Sequence, residues 1–178
     1  MKKILKLTQG IMGAHLSSVF LSFMFMLLFG GLTDKIGITK YFLVLIWFGG
    51  IYYVGWHKGR KDARYIKGVY PDVKSNTIAA LLFSSITLIM LVVRISAFHI
   101  AAGGQIGNEP QVLVIADIVY RLWSFPFIYF MQNGTLISYT VPVIFPFAVY
   151  VGSYFIGLKK FSIFEKILPK VIYKKKFD

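Results

Sequence analysis

The residues of this 178-residue chain that could carry out chemistry are few and scattered. The three histidines are His15, His57 and His99, and there is no cysteine. The absence of cysteine excludes disulfides, thiol catalysis and thiolate-bound metals. Because the histidines fall at different predicted depths, they indicate no shared metal site. We therefore expect no metal, no cofactor and no catalytic residue.

The most concentrated polar group is a predicted cluster of Arg94, His99, Asp117 and Arg121. Asp117 and Arg121 are four positions apart and would face each other on a helix. Two guanidinium groups beside one carboxylate suit an anionic ligand better than a cation. Two interpretations stay open. The cluster is either an ion-pair network that anchors its segment or a binding site for a solute or lipid headgroup.

His15 is an ionisable side chain inside an otherwise apolar run. Such residues usually face the interior of a bundle or a cavity. A proton relay is one interpretation, because histidine titrates near neutral pH. The other is a neutral imidazole hydrogen-bonded inside the protein.

The composition indicates an integral membrane protein, because 57% of the residues are hydrophobic and only 15% are charged. A soluble domain has about 25% charged residues. Four apolar runs predict spanning helices, since crossing a bilayer takes about 20 residues and requires every backbone group to be bonded internally. We expect a single membrane domain over 1–178 that is all-α, a four-helix transmembrane bundle with spans 11–32, 38–56, 77–98 and 136–158.

A fifth segment, 111–131, is mostly apolar but holds charged residues and Pro126. Basic residues decide how it is interpreted: three precede the first run, six follow the second and seven lie in the tail. Four spans place all three groups on one face, so the positive-inside rule predicts that both termini are cytoplasmic. Segment 111–131 is then a re-entrant or interfacial helix on the outer face. The lysine- and isoleucine-rich composition is compatible with a bacterial cytoplasmic membrane.

Small residues line faces of the first and last spans and let helix backbones approach closely in lipid. They serve either packing within the bundle or an interface between subunits. The positions are Gly10, Ala14, Ser18, Ser22, Ser153 and Gly157.

The basic loop and tail predict contact with anionic lipids or with an acidic partner. Residues 159–178 resemble an amphipathic cytoplasmic helix in the interface. Since positive-inside charge already explains the basic face, nucleic-acid binding is not expected. The residues proposed for this contact are Lys58, Arg60, Lys61, Arg64, Lys174, Lys175 and Lys176.

These observations favour a non-catalytic membrane protein that self-associates or is an accessory subunit of a larger membrane complex. The alternative is an oligomeric channel or small-solute transporter, in which Pro142 and Pro146 would break the last helix. A third interpretation is an intramembrane enzyme acting on lipid or peptide, which would require Arg94, His99, Glu109 and Asp117 to converge.

Overall fold

The computed structural model describes residues 1–36, 38–64, 71–102, 111–131 and 136–159, with side chains for all of these except 32–36, 98–102, 112 and 136–137. The described residues are almost entirely helical and include no strand. The elements are α1 (Lys2–Ile36), α2 (Thr39–Asp62), α3 (Val73–Ala102), α4 (Gln111–Trp123), a 3-10 turn (Phe125–Phe127), α5 (Ile128–Met131) and α6 (Leu136–Leu158).

Three of these helices are long and apolar enough to cross a membrane: Lys2–Gly31, Val73–Ala97 and Ser138–Leu158. A fourth crossing results if Leu113–Trp123 and Phe125–Met131 count as one bent span. The protein is thus all-helical over the described residues, with three to four candidate spans. The predicted span 38–56 covers Ile38 and the first part of α2, which is not among these candidates. Residues 160–178 of the predicted amphipathic tail lie outside the described residues.

The helix α2 lies at the centre of the bundle and packs mainly against α6 and α1. Leu43, Trp47 and Ile51 of α2 are fully buried. Outward-facing positions expose large apolar side chains on all three helices: Phe20 of α1, Leu45 of α2 and Ile89 of α3 are 60%, 60% and 62% accessible. Apolar faces of this kind are suited to lipid rather than water.

One end of the bundle gathers the start of α1, the end of α2, the start of α3 and the end of α6. An ion pair of 2.5 Å joins Lys3 to Asp72, and the Tyr154 hydroxyl donates to Asp62 over 2.9 Å. We call this the basic end. Its basic residues are Lys2, Lys3, Lys6, Lys58, Arg60, Lys61, Arg64, Lys74 and Lys159.

The bend after α4 follows from Pro126, which cannot donate a hydrogen bond to the carbonyl one turn earlier. The chain tightens into the 3-10 turn, in which the backbone N–H of Phe127 donates to Ser124 over 2.8 Å. The two halves of the segment meet at 87°. This geometry leaves the carbonyl of Trp123 available to another helix.

The two prolines of the last span do not break it. The helix α6 runs continuously from Leu136 to Leu158, with Pro142 and Pro146 inside it. A proline ring crowds the carbonyls of the preceding turn. The hydroxyl of Tyr120 donates to one carbonyl of that turn, Tyr139, over 2.5 Å. The predicted break is therefore absent from the described α6.

Candidate functional site

His15 lies at the centre of the best-defined polar site in the described bundle and is only 2% exposed. Its Nδ1 accepts a hydrogen bond of 2.9 Å from the indole N–H of Trp47 on α2. Its Nε2 lies 3.0 Å from the carbonyl oxygen of Trp123, the last residue of α4. Since an indole nitrogen only donates and a carbonyl only accepts, these partners assign the neutral imidazole with its proton on Nε2.

Aromatic rings surround this imidazole. Its ring centre lies 4.6 Å from that of Trp123 and 5.2 Å from that of Phe83. Trp47 in turn packs at 4.9 Å against Phe127 of the 3-10 turn, and the Trp123 indole donates to Thr87 over 3.0 Å. The site therefore joins α1, α2 and α3 at one point to the segment Leu113–Met131, which we call the bent segment.

The chemistry open to His15 is limited by these contacts. A protonated imidazole would carry hydrogen on both ring nitrogens. Its Nδ1–H would then face the Trp47 N–H, placing two donors against each other. The arrangement thus favours the hydrogen-bonded neutral imidazole over the proton relay.

The cluster predicted around Arg94 is partly assembled at the end opposite the basic end. The Nε of Arg94 lies 2.6 Å from one Asp117 oxygen, and the Nε of Arg121 lies 2.6 Å from the other. The Arg94 guanidinium also lies 3.9 Å from the ring centre of Tyr139. The His99 side chain lies outside the described residues.

This cluster ties α3 to α4 and α6. The Arg94 side chain is only 17% exposed, and its guanidinium group already contacts the Asp117 carboxylate and the Tyr139 ring. Arg121 is the more accessible cation, at 43%. Of the groups required for an enzyme, Arg94 and Asp117 meet. The side chains of His99 and Glu109 lie outside the described residues. Within the part of the chain that is described, no three His, Asp or Glu side chains could hold a metal.

The small residues pack mainly inside the molecule. Ser18 and Ser22 of α1 are buried, and the Ser22 hydroxyl donates to the Leu43 carbonyl of α2 over 3.3 Å. A Cβ atom on Gly157 of α6 would overlap the backbone of Trp56. Ser153 presses against Gly55 in the same seam between α2 and α6.

Gly10 behaves differently, since a Cβ there would meet nothing within 4 Å. The same is true of Gly13, one turn later. Both glycines and Ser17 are exposed on α1, whereas Ala14 is half-buried. The small residues of α1 therefore lie on two faces. Ser18 and Ser22 pack on α2, and Gly10, Gly13 and Ser17 form an open face.

The basic residues of the loop, Lys58, Arg60, Lys61 and Arg64, lie along the last turns of α2 and just beyond it. Lys58 pairs with Asp62, and the Arg60 guanidinium lies 5.1 Å from the Trp56 ring centre. Lys174, Lys175 and Lys176 lie outside the described residues.

Asp72 caps α3 at the basic end. Its carboxylate accepts from the backbone N–H of Ser75 over 3.0 Å. The hydrogen bond from Lys3, followed by those from Ser75, lowers the pKa of Asp72 from 3.8 to about 2.

Several residues that join helices at the His15 site or nearer the basic end were not singled out from the sequence: Trp47, Thr87 and Trp123, and Asn76 and Asp62. Each is a polar or indole-bearing residue in or beside an apolar run, and such a group in lipid needs a partner. Sequence spacing does not identify that partner. The carbonyl bonded to His15, for example, lies 108 positions away in the chain.

Comparisons with protein-family models, with curated proteins and with solved structures find no match to this chain. No function is therefore carried over by similarity.

Proposed function

We propose that this chain is a non-catalytic membrane subunit that associates with itself or with a larger membrane protein. The observation that supports this most is the His15 site. Both imidazole nitrogens are satisfied by the protein itself, so the principal ionisable group of the bundle interior holds helices together instead of meeting a solute.

The proposed topology has four crossings, α1, α2, α3 and α6, with the basic end and both termini at the cytoplasmic face of a bacterial cytoplasmic membrane. The charge on the basic end supports this orientation. The helix α2 has the least apolar sequence of the four. Its packing between α1 and α6 supports a crossing that is partly shielded from lipid, and exposed apolar side chains such as Leu45 are suited to the lipid on its remaining face. The bent segment then enters from the outer face as a re-entrant helix.

The proposed association surface is the open face of α1. Gly13 and Ser17 are exposed there, and Leu16 and Phe20 beside them are 49% and 60% accessible. Small residues allow close approach of a second helix, which stabilises association in lipid. The opposite face of α1 is already occupied by α2 through Ser18 and Ser22.

Site-specific photo-cross-linking in native membranes tests this proposal. A photoreactive residue at position 13 should give a protein adduct of defined mass, either a second copy or one other protein. Position 89, an exposed residue of α3, is the matched control facing lipid. Adducts of equal yield and mixed mass at both positions would indicate random collision and overturn the proposed surface.

A second candidate is an oligomeric channel or small-solute transporter, favoured by one observation. The segment from Leu113 to Met131 bends by 87°, and its corner contacts the interior at His15. Purified chain reconstituted in liposomes should show no ion or solute flux above that of empty vesicles. Flux that the His15→Leu substitution abolishes would favour the transporter over the subunit.

A further inference from the structure

A cavity of about 420 Å³ opens at the basic end, between the first turns of α1 and the last turns of α2. Its lining changes character with depth. Four lysines, Lys3, Lys6, Lys58 and Lys61, line it towards the basic end. Deeper in, Leu7 and Gly10 of α1 face it, a distance of about one to two helical turns from Lys3.

The apolar wall is completed by Tyr53 and Val54 of α2 and by Tyr150 of α6. The Tyr150 hydroxyl donates its hydrogen to Asn76 over 2.9 Å, so this donor is already used within the protein. Gly10 contributes no side chain, and a Cβ there would have nothing within 4 Å. The cavity therefore joins an apolar slot to a rim of four lysines.

The charge at its mouth is positive. No carboxylate lines the cavity among the described residues. Lys3 is paired with Asp72 and Lys58 with Asp62, and neither carboxylate lines the cavity. Lys6 and Lys61 show no carboxylate partner in the part of the chain that is described. The start of α1 adds the positive end of a 35-residue helix dipole.

The cationic surface continues past this cavity. A neighbouring pocket of about 270 Å³ shares His57 and Lys61 with it and adds Arg60 and Arg64. Guanidinium and ammonium groups together are well suited to phosphate oxygens. A free inorganic anion would use only this rim and leave the apolar slot empty.

We propose that the cavity binds one anionic phospholipid of the adjacent leaflet. Its phosphate lies between Lys6 and Lys61, and the start of an acyl chain lies against Leu7, Val54 and Tyr53. The ligand class follows from the combination of cationic rim and apolar slot, each of which matches one part of an amphiphile. The inference rests on the membrane placement proposed above and not on association with a partner.

The test is lipid retention by the purified, delipidated chain in detergent micelles, counted by native mass spectrometry. Phosphatidylglycerol and phosphatidylcholine with the same acyl chains are the probes. We expect one phosphatidylglycerol to bind in clear preference to phosphatidylcholine. The double substitution Lys6→Gln with Lys61→Gln should weaken phosphatidylglycerol binding about 25-fold, since each lysine contributes a factor of about five near an anionic lipid.

The matched control is Lys2→Gln with Lys74→Gln, which removes the same charge from the same end outside the cavity lining. This variant should keep the preference. Gly10→Leu fills the apolar slot without changing charge, and it should also reduce retention. Thermal unfolding of each variant verifies that it folds.

Two results would overturn the proposal. Equal losses in the lining and control double variants would show diffuse attraction and no built site. Full displacement of the lipid by inorganic phosphate, with Gly10→Leu unchanged, would show an anion site without an acyl slot. Either result leaves the association proposal standing, because the cross-linking probe is placed at Gly13, which does not line this cavity.

Discussion

At the scale of single residues, His15 is a connector between helices. Its two ring nitrogens bond to α2 and to the end of α4, so its neutral form satisfies groups that would otherwise be stranded in an apolar interior. A buried polar group left without its partner costs about 1–3 kcal/mol.

His15→Leu should therefore destabilise the bundle. The substitution strands the Trp47 N–H and the Trp123 carbonyl, and we expect a loss of roughly 2 kcal/mol in the free energy of unfolding. Denaturant unfolding in detergent micelles measures it, with Leu16→Ala on the exposed face of α1 as the control. Unchanged stability would contradict the connector role and favour a functional histidine.

The lowered pKa of Asp72 predicts that the stability of the chain depends on pH. The pKa of this carboxylate is lowered from 3.8 to about 2 by Lys3 and Ser75, so its contribution to stability is present above about pH 4 and is lost as the pH falls through about 2. Asp72→Asn should lower the melting temperature at pH 7, and its difference from the natural chain should shrink towards pH 2 and vanish below it. A difference that stays constant with pH would contradict the assignment.

At the scale of elements, the seam between α2 and α6 depends on glycine. A Cβ on Gly55 would lie 2.7 Å from the Tyr150 carbonyl oxygen, and one on Gly59 would lie 3.0 Å from the Leu158 nitrogen. Both neighbours are backbone atoms that move only if the helices separate.

Gly59→Ala should accordingly destabilise the chain by about 1–3 kcal/mol, the usual cost of overpacking. Gly152→Ala is the matched control on α6, because its Cβ would meet nothing within 4 Å. That change should instead add about 0.5–1 kcal/mol through helix propensity. Unfolding curves of both variants in the same micelle give the comparison. Equal effects of the two substitutions would mean that the seam between α2 and α6 has room for a Cβ atom at Gly59.

The bent segment depends on Asp117, which pairs with both Arg94 and Arg121. Asp117→Asn leaves the half-buried Arg94 without its carboxylate, so hydrogen exchange across α4 (Gln111–Trp123) should accelerate. Arg121→Gln should have a smaller effect, since an exposed ion pair contributes about 0–1 kcal/mol. Unaltered exchange in Asp117→Asn would show that the segment is held by its aromatic contacts alone.

At the scale of the whole molecule, the sequence predicted the helical class and the positions of the apolar helices. These depend on local hydropathy, as in 77–98 inside α3 and 136–158 coinciding with α6. The ion pair of Asp117 with Arg121 could also be predicted, because residues four positions apart are neighbours on one helix.

The rest depends on contacts between distant segments. The sequence did not indicate that α2 would occupy the centre, because packing against α6 and α1 and not its own periodicity places it there. His15 accepts a hydrogen bond from Trp47 and bonds to the Trp123 carbonyl, so it joins three helices. The Trp123 carbonyl is available because α4 ends there, just before Pro126. The cavity at the basic end likewise requires the relative position of α1, α2 and α6.

The central claim is that the chain acts by association in the membrane. Native mass spectrometry of the protein, extracted gently from its own membrane with lipid retained, tests it most directly. We expect a fixed stoichiometry, with masses corresponding to several copies of the 20.3 kDa chain or to one chain with a larger membrane protein. A single 20.3 kDa chain under every mild extraction condition would contradict the claim.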